Sequence, residues 1–344
     1  MVAERYWPHI GGVERHVERV CEILLDRGYH VSIICGAAAG RPSEDSHKGV
    51  EIHRLPRRWG RVPLLATVWM LLHRRLWRHA DIIHVHDMYP LLFWCLPIVL
   101  LRGRGGVWAT FHGYERDPIP ALFVILRRIA RRLVRAVICV GSFIEECYGV
   151  QCDLTTIGAT DPVPEPLPSD TRDSIIFIGQ LRRDIGPDVY VEAAGILWRE
   201  WGMAQTMIVV GEGEAEEEMR RQAEFWDIDV RFMGTVVDPS PLLRRALFCL
   251  AGGYLSILEA MAHGVPVIGF ADTPLRYRYL MAVREAGGPI SIQTSAEGIA
   301  QEMGRLMGRP PEYYEYLVDA SRRFAARYTW GALADMYVKL WSPG

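Results

Sequence analysis

The sequence lacks several features, and each absence narrows the reading. Its seven cysteines include no C-x-x-C pair. Neither a zinc knuckle nor an iron–sulfur spacing is present, and the odd, unspaced set predicts free thiols in a reducing compartment. Residues 1–30 are charged and amphipathic throughout, without the apolar stretch of a signal peptide. The longest apolar run, Met88 to Leu101, is broken by Pro90 and Pro97. A spanning helix needs about twenty apolar residues. No transmembrane helix is expected, and the reading is a cytoplasmic protein. Lysine is missing from a long basic segment. Between Arg54 and Arg135 stand fifteen arginines, no lysine and four acids (Asp81, Asp87, Glu115, Asp117), a charge of +11 hidden inside a net of −2. Such a half suits an anionic surface or ligand. No nucleic-acid recognition motif accompanies it, so nucleic acid is not the expected partner.

What is present is a repeated alternation of short β-rich runs and helical periods. "HVSIICG" (30–36), "DIIHVHD" (81–87), "GVWATFHG" (106–113), "AVICVGS" (136–142) and "DLTTIGATD" (153–161) read as strands. Gly12 to Arg27 and Ile119 to Arg135 read as helices between them. Strands alternating with helices predict parallel sheets with right-handed crossovers. The pattern then restarts with "SIIFIGQ" (174–180), a helix from Pro187 to Trp201, and "AQTMIVVGEG" (204–213). Further strands follow at "DVRFMGTV" (229–236), "LFCLAGG" (247–253) and "VPVIGF" (265–270), and the chain ends in two helices bent near Tyr328. With 344 residues, the chain is long enough for two domains. The expected division is 1–162, a proline-rich linker at 163–173, a second α/β domain at 174–327, and a C-terminal helix at 328–344 that packs back on the first. Ligand sites in such folds lie at strand C-termini and domain interfaces. Before the first loop, "MVAERYWPHIGG" offers only about three strand-like residues, fewer than the usual five or six. Either the sequence starts late or the sheet tolerates a stub.

Several motifs carry chemistry. "PHIGGVERHVERV" (8–20) is a strand, a Gly-Gly turn and a helix. Paired glycines let backbone approach a diphosphate, and the helix N-terminus offers unpaired N–H groups; a plain βα turn gives the same pattern. His112 follows a strand and can relay a proton or bond a sugar hydroxyl, or serve structure alone. His84 and His86 share one face of a strand beside Asp87, but no fourth ligand follows at metal spacing, so no metal is expected. In "VVGEGEAEEEMRRQ" (209–222) the acids suit the helix dipole and repel phosphate, so Gly211 and Gly213 read as turn residues near a nucleoside. In "AGGYLSILEAMAHGVPVIG" (251–269), Ser256 and Glu259 fit a capping box, or Glu259 accepts two ribose hydroxyls. Gly264 closes the helix.

Taken together and in this order, these pieces resemble the retaining GT-B glycosyltransferases of the "group 1" family, over nearly the whole length. The matching stretches include "PHIGGVERHVERVCEILLDRGYHVSIICG", "DIIHVHD", "ATFHG", "IIFIGQL" followed by Gly186, "IVVGEGE", "RFMGTV", "ILEAMAHGVPVIG" and the closing "YTWGALADMYVKLW". The resemblance implies two Rossmann-like domains facing a central cleft, a nucleotide sugar as co-substrate, a lipid or glycan acceptor, and no metal or resident cofactor. It implies that Gly11 and Gly12 approach the diphosphate and that His112 is the catalytic group beside the transferred sugar. It implies that Gly252, Gly253, Tyr254 and Leu255 face phosphate and sugar, and that Glu259 holds the ribose. The chain departs from the family at the leaving group. Ala251 stands for the first glutamate of E-x7-E, Gln180 for the family arginine and Ile185 for the family lysine. Arg182, Arg183, Arg276 and Arg278 lie nearby as substitute cations. A second reading follows from these losses: a silent GT-B protein that binds a sugar nucleotide or a partner without transfer.

The basic half adds one expectation. Arg127, Arg128, Arg131, Arg132 and Arg135 line one face of a helix, with Leu122, Phe123, Leu126, Ile129 and Leu133 largely opposite. Pro63 to His79 is similar. Either these are ordinary helices with solvated arginines, or Arg127, Arg128, Arg131 and Arg132 contact anionic lipid on the inner membrane face.

Overall fold

The computed structural model of the protein describes residues 1–58, 60, 62–163, 171–203 and 205–342. The chain divides into two compact units, Met1–Thr156 with Trp330–Gly344, and Ile157–Thr329. Most of the proline-rich linker at 163–173 lies outside the described residues.

In the first unit the elements run α1 (Gly12–Asp26), β1 (Ser32–Cys35), β2 (Glu44–His47), β3 (Val50–Arg54), α2 (Pro63–Leu72), α3 (Arg75–Arg78), β4 (His84–His86), α4 (Met88–Phe93), α5 (Leu96–Arg102), β5 (Trp108–Phe111), α6 (Ala121–Leu133), β6 (Val137–Val140), α7 (Phe143–Tyr148) and β7 (Leu154–Thr156). The strands are short and mostly buried on both faces, as parallel strands under helices should be. They pair in the orders β1-β3-β2 and β4-β5-β6-β7. The chain's first residues join the two sets: Val2 bridges both Ile34 and Val85 in parallel. A stub of strand thus sits where a central strand belongs. Strands run outward from it on both sides, so the switch point of the sheet lies between Val2 and β4.

The second unit continues with β8 (Ser174–Ile178), α8 (Pro187–Trp201), β9 (Thr206–Val210), α9 (Glu216–Trp226), β10 (Val230–Phe232), α10 (Ser240–Leu243), β11 (Ala246–Ala251), α11 (Tyr254–Ala262), β12 (Val267–Phe270), α12 (Pro274–Glu285), β13 (Ile290–Gln293), α13 (Ala296–Met307) and α14 (Pro311–Ala325). Its sheet is wholly parallel with order β10-β9-β8-β11-β12-β13. That is the doubly wound order, reversing between β8 and β11. Ile175, Phe177, Val209, Phe248 and Ile268 form the sheet's contribution to a core closed by Tyr190, Leu197, Met219 and Met303 from the helices. The last helix, α15 (Trp330–Trp341), packs on α1 in the first unit.

Three expectations need correction. The cysteines are not all free: Cys139 on β6 and Cys152 form a disulfide with a Cα–Cα separation of 5.8 Å. The turn after α7 brings Cys152 back beside β6, within bridging range, and a separation of 13 residues carries no sequence signal. The run from Pro63 to His79 is not one helix but α2 and α3, broken at His73 and Arg74. And the segment "TPLRYR", which carries Arg276 and Arg278 and was assigned to no helix, starts α12. Thr273 caps it by accepting from the Arg276 N–H, and Pro274 takes the first position, where its missing N–H costs nothing.

Candidate active site

The switch point of each sheet gathers the residues that the sequence singled out. In the second unit, the loops after β8 and β11 meet. Gly252 follows β11, and a side chain there would collide: a Cβ would lie 2.3 Å from Ile185 Cγ2 and 3.0 Å from Arg276 Nη2. Gly253 is the extended N-cap of α11 and has no side chain to cap that end, while the Tyr254 N–H donates to the Tyr279 hydroxyl at 3.3 Å. Ser256 is already inside the helix and donates to the Gly253 carbonyl at 2.9 Å. The expected capping box between Ser256 and Glu259 is therefore absent, because the helix begins three residues earlier than that motif requires. Glu259 sits one turn further on, half-buried. Tyr254 stacks on Tyr279 of α12 at 4.1 Å and donates to its carbonyl at 2.7 Å. Gly211 closes the neighbouring loop. Its φ is +135°, and a Cβ would stand 1.8 Å from the Gly179 carbonyl oxygen, so only glycine fits.

The arginines beside Gln180 differ in availability. Arg182 is exposed and held by Asp184 through two hydrogen bonds of 2.8 and 2.5 Å. Arg183 is exposed in the short turn Arg183–Ile185. Gln180 is exposed too. Arg276 lies buried and donates Nη2 to the Gly252 carbonyl at 2.6 Å.

In the first unit, four histidines converge beneath the stub. His84 and His86 come from β4, His112 follows β5, and His16 comes from α1, the helix that begins at Gly11 and Gly12. All four are buried. His86 Nδ1 and His112 Nε2 are 3.1 Å apart, and the His16 ring meets His112 edge-on at 4.7 Å. A bonded chain runs on from there. Trp341 Nε1 donates to His84 Nδ1 (3.1 Å), which leaves His84 Nε2 to donate to Thr110 (2.7 Å). Thr110 and Tyr337 hydroxyls are 2.8 Å apart, and the Tyr337 hydroxyl bonds His16 Nε2 at 2.8 Å. His16, His86 and His112 each present a nitrogen within 4.8 Å of the others, a spacing that could hold a metal ion. The sequence reading missed this grouping, because it looked for ligands along the strand rather than across the sheet.

His112 is fixed through its main chain. Its N–H donates to Asp87 Oδ1 (2.7 Å) and its carbonyl accepts from Arg127 Nη2 (2.9 Å). Asp87 itself has φ 68° and ψ 164°, a conformation rare outside glycine. Arg127 is therefore not a membrane contact. It is 2% exposed, paired with Glu115 at 2.9 Å and stacked 4.2 Å over Tyr148. Arg128 and Arg131 likewise donate to the carbonyls of Tyr148 and Gln151, while Arg132 stays exposed. The face of α6 read as packing inward is partly the outer one: Leu122, Ile125 and Ile129 are 61%, 53% and 41% exposed.

Burial sets the protonation of this cluster. It depresses the pKa of His84, His86 and His112 well below the ordinary value and that of His16 to about 3. It raises Asp87 to about 7. Unfolded imidazoles take up protons below about 6.5, and the folded ones do not, so acid favours unfolding. Asp87 opposes this, since its folded carboxyl holds a proton up to about 7 and its contribution is lost as pH rises through that value. Four imidazoles outweigh one carboxyl. The urea midpoint is expected to fall from pH 7 to pH 5, each net proton being worth about 1.4 kcal/mol per pH unit. The fall should be shallower in His16→Gln. A flat or rising midpoint would overturn the neutral assignment.

Comparison with known proteins decides the family. Residues 10–150 match the model of glycosyltransferase family 4, and residues 172–309 match that of the group 1 glycosyl transferases. The chain is a glycosyltransferase, with a family 4 domain in its first half and a group 1 domain in its second. This glycosyltransferase is 24% identical to the phosphatidyl-myo-inositol mannosyltransferase of Mycolicibacterium smegmatis, over 96% of this chain and 90% of that one. Its fold matches a Rickettsia africae glycosyltransferase with a TM-score of 0.71 at 14% identity, covering 99% and 97% of the two chains. It matches the Anabaena protein HepE, solved with UDP and glucose, with a TM-score of 0.71 at 14% identity and 98% of each chain. The glycosyltransferase thus has the GT-B fold built of two Rossmann-like units. Among its described residues no helix is long and apolar enough to cross a membrane.

Proposed function

We propose that this protein transfers a hexosyl group from a nucleoside-diphosphate sugar to a lipid-linked acceptor, with retention of the anomeric configuration. The observation that carries the donor half is the N-terminus of α11 at the switch point, where Gly252 and Gly253 carry no side chain over the helix end, one turn before Glu259. Such a helix end receives phosphate oxygens, and Glu259 is placed to accept ribose hydroxyls. HepE, with UDP and glucose, and the phosphatidyl-myo-inositol mannosyltransferase support the same reading. In the reaction the bond from sugar C1 to the β-phosphate oxygen breaks and its electron pair stays on the diphosphate. The acceptor oxygen bonds C1 and yields its proton to the departing diphosphate. The role the family resemblance gives His112, which burial keeps neutral, is to bond a hydroxyl of the transferred sugar. No resident metal is required, and a chelator should leave turnover unchanged.

The lipid half rests on exposed apolar residues rather than on the arginines first expected to serve. Leu64 and Leu72 of α2, Leu100 and Leu101 of α5, and Leu122 and Ile125 of α6 are each more than half exposed. Helices α2, α4, α5 and α6 pack together, and Arg74, Arg75 and Arg78 are exposed just beyond α2. Leucine edges flanked by cations suit insertion into an anionic interface.

Incubation with UDP-, GDP- and ADP-sugars plus phospholipid vesicles should yield a labelled lipid whose anomeric proton coupling matches the donor's. Binding without turnover on any acceptor would instead favour a silent sugar-nucleotide module. Co-sedimentation with anionic vesicles should fall about tenfold in Leu100→Asp/Leu101→Asp; equal sedimentation with neutral vesicles would sink the lipid proposal.

A further inference from the structure

Among the described residues four arginines are almost fully buried: Arg54, Arg127, Arg172 and Arg276. A guanidinium cannot shed its proton in a protein, so each buried charge must be met. Arg54 pairs with Asp45 and Arg127 with Glu115. Arg172 spreads its donors over the carbonyls of Ala246, His263 and Gly264. Arg276 is different. Among the described residues its side chain has one hydrogen-bond acceptor, the Gly252 carbonyl at 2.6 Å, and no carboxylate; like the other three it leaves one guanidinium nitrogen buried without a partner, here Nε. It also lies 5.0 Å over the Tyr279 ring. A buried cation met by one carbonyl and one ring is under-compensated, and it lies beside the N-terminus of α11, which carries its own positive potential.

We infer that Arg276 is the cation that binds the diphosphate of the nucleotide sugar, in place of the family's missing arginine and lysine. This rests on the donor reading above. The geometry explains the replacement. Ile185, at the family's lysine position, and Arg276 press on Gly252 together, since a Cβ there would touch both. The cation that would reach this glycine from the β8 loop instead reaches it from α12. The start of α12 is locked in place, because Thr273 caps it and Tyr279 holds Tyr254 by stacking and by accepting its N–H at 3.3 Å. As the C1–O bond breaks, charge gathers on the diphosphate, and a fixed guanidinium there stabilises it.

The test compares wild type with Arg276→Gln, Arg276→Lys and Ile185→Lys/Arg276→Gln by calorimetry. The probes are UDP, GDP and ADP and their nucleosides. Arg276→Gln should weaken the preferred diphosphate about 10- to 100-fold, leave its nucleoside unchanged, and cut transfer about 100- to 1,000-fold. Arg276→Lys should fall between. The double variant should recover diphosphate binding, which a merely structural arginine would not allow. If wild type binds none of the diphosphates, the donor reading fails. Two results would overturn the assignment of Arg276 while leaving that reading intact. In one, Arg276→Gln binds the diphosphate as well as wild type does. In the other, it loses nucleoside and diphosphate alike, and adding Ile185→Lys restores neither.

Discussion

His112→Ala is expected to lose about 10²- to 10⁴-fold in transfer rate while nucleotide binding stays within a few-fold of wild type. The two effects separate because they belong to different units. His112 follows β5 in the first unit, whereas the N-terminus of α11 and Glu259 lie in the second. The ring is buried at 8% exposure, and burial keeps it neutral at pH 7. In the proposed reaction it is expected to act as a directed hydrogen-bonding group, not as a fixed cation. Its partner His86 Nδ1, at 3.1 Å, would be orphaned in the alanine variant. An unsatisfied buried group costs about 1–3 kcal/mol, which a folded domain of this size tolerates. The check is kcat against nucleoside-diphosphate Kd in the same preparation, with the urea midpoint as control. Transfer within tenfold of wild type would remove His112 from the chemistry.

Much of the local structure around these residues was legible in the sequence, and the parts that were not share a cause. Strand-loop-helix punctuation located Gly11, Gly12, Gly252 and Gly253, because glycine at a strand end is a local signal. Helices such as Pro187–Trp201 came out with their observed ends. Contacts between distant segments did not. His16, His86 and His112 are brought together by the stub Val2 pairing between β1 and β4, which no local pattern encodes. Cys139 and Cys152 meet only because a turn folds back. Helix α6 shows the limit most clearly. Its periodicity revealed two faces, and the apolar one was placed inside. What lies beneath the helix, however, is a set of carbonyls and acids: His112, Tyr148, Gln151, Glu115 and Asp153. Arginines satisfy those acceptors and leucines cannot, so part of the apolar face turns outward. Arg276 was hidden for a related reason: "TPLRYR" was judged against a family motif it lacks, and the helix it starts went unread.

The same arginine face yields the second large effect. Arg127→Met is expected to destabilise the protein by about 3–5 kcal/mol, the cost of breaking a buried ion pair from one side. Three partners lose their donor or counter-charge at once. Glu115, 21% exposed, keeps its charge without the guanidinium at 2.9 Å. The His112 carbonyl loses its 2.9 Å donor, and the Tyr148 ring loses the stacked cation. Methionine preserves the stem's packing, so the loss reports charge and hydrogen bonds rather than a cavity. Arg127→Lys should recover little, because an ammonium cannot bond Glu115 and the His112 carbonyl with the planar fork that does so here. Transfer should drop beyond what instability explains, since His112 is held by Asp87 on one side and Arg127 on the other. A lipid-facing arginine predicts the reverse: an unchanged urea midpoint with weakened sedimentation on anionic vesicles. Measured on one variant, the two readouts separate a brace for the His112 loop from a membrane contact, and the 2% exposure of Arg127 favours the brace.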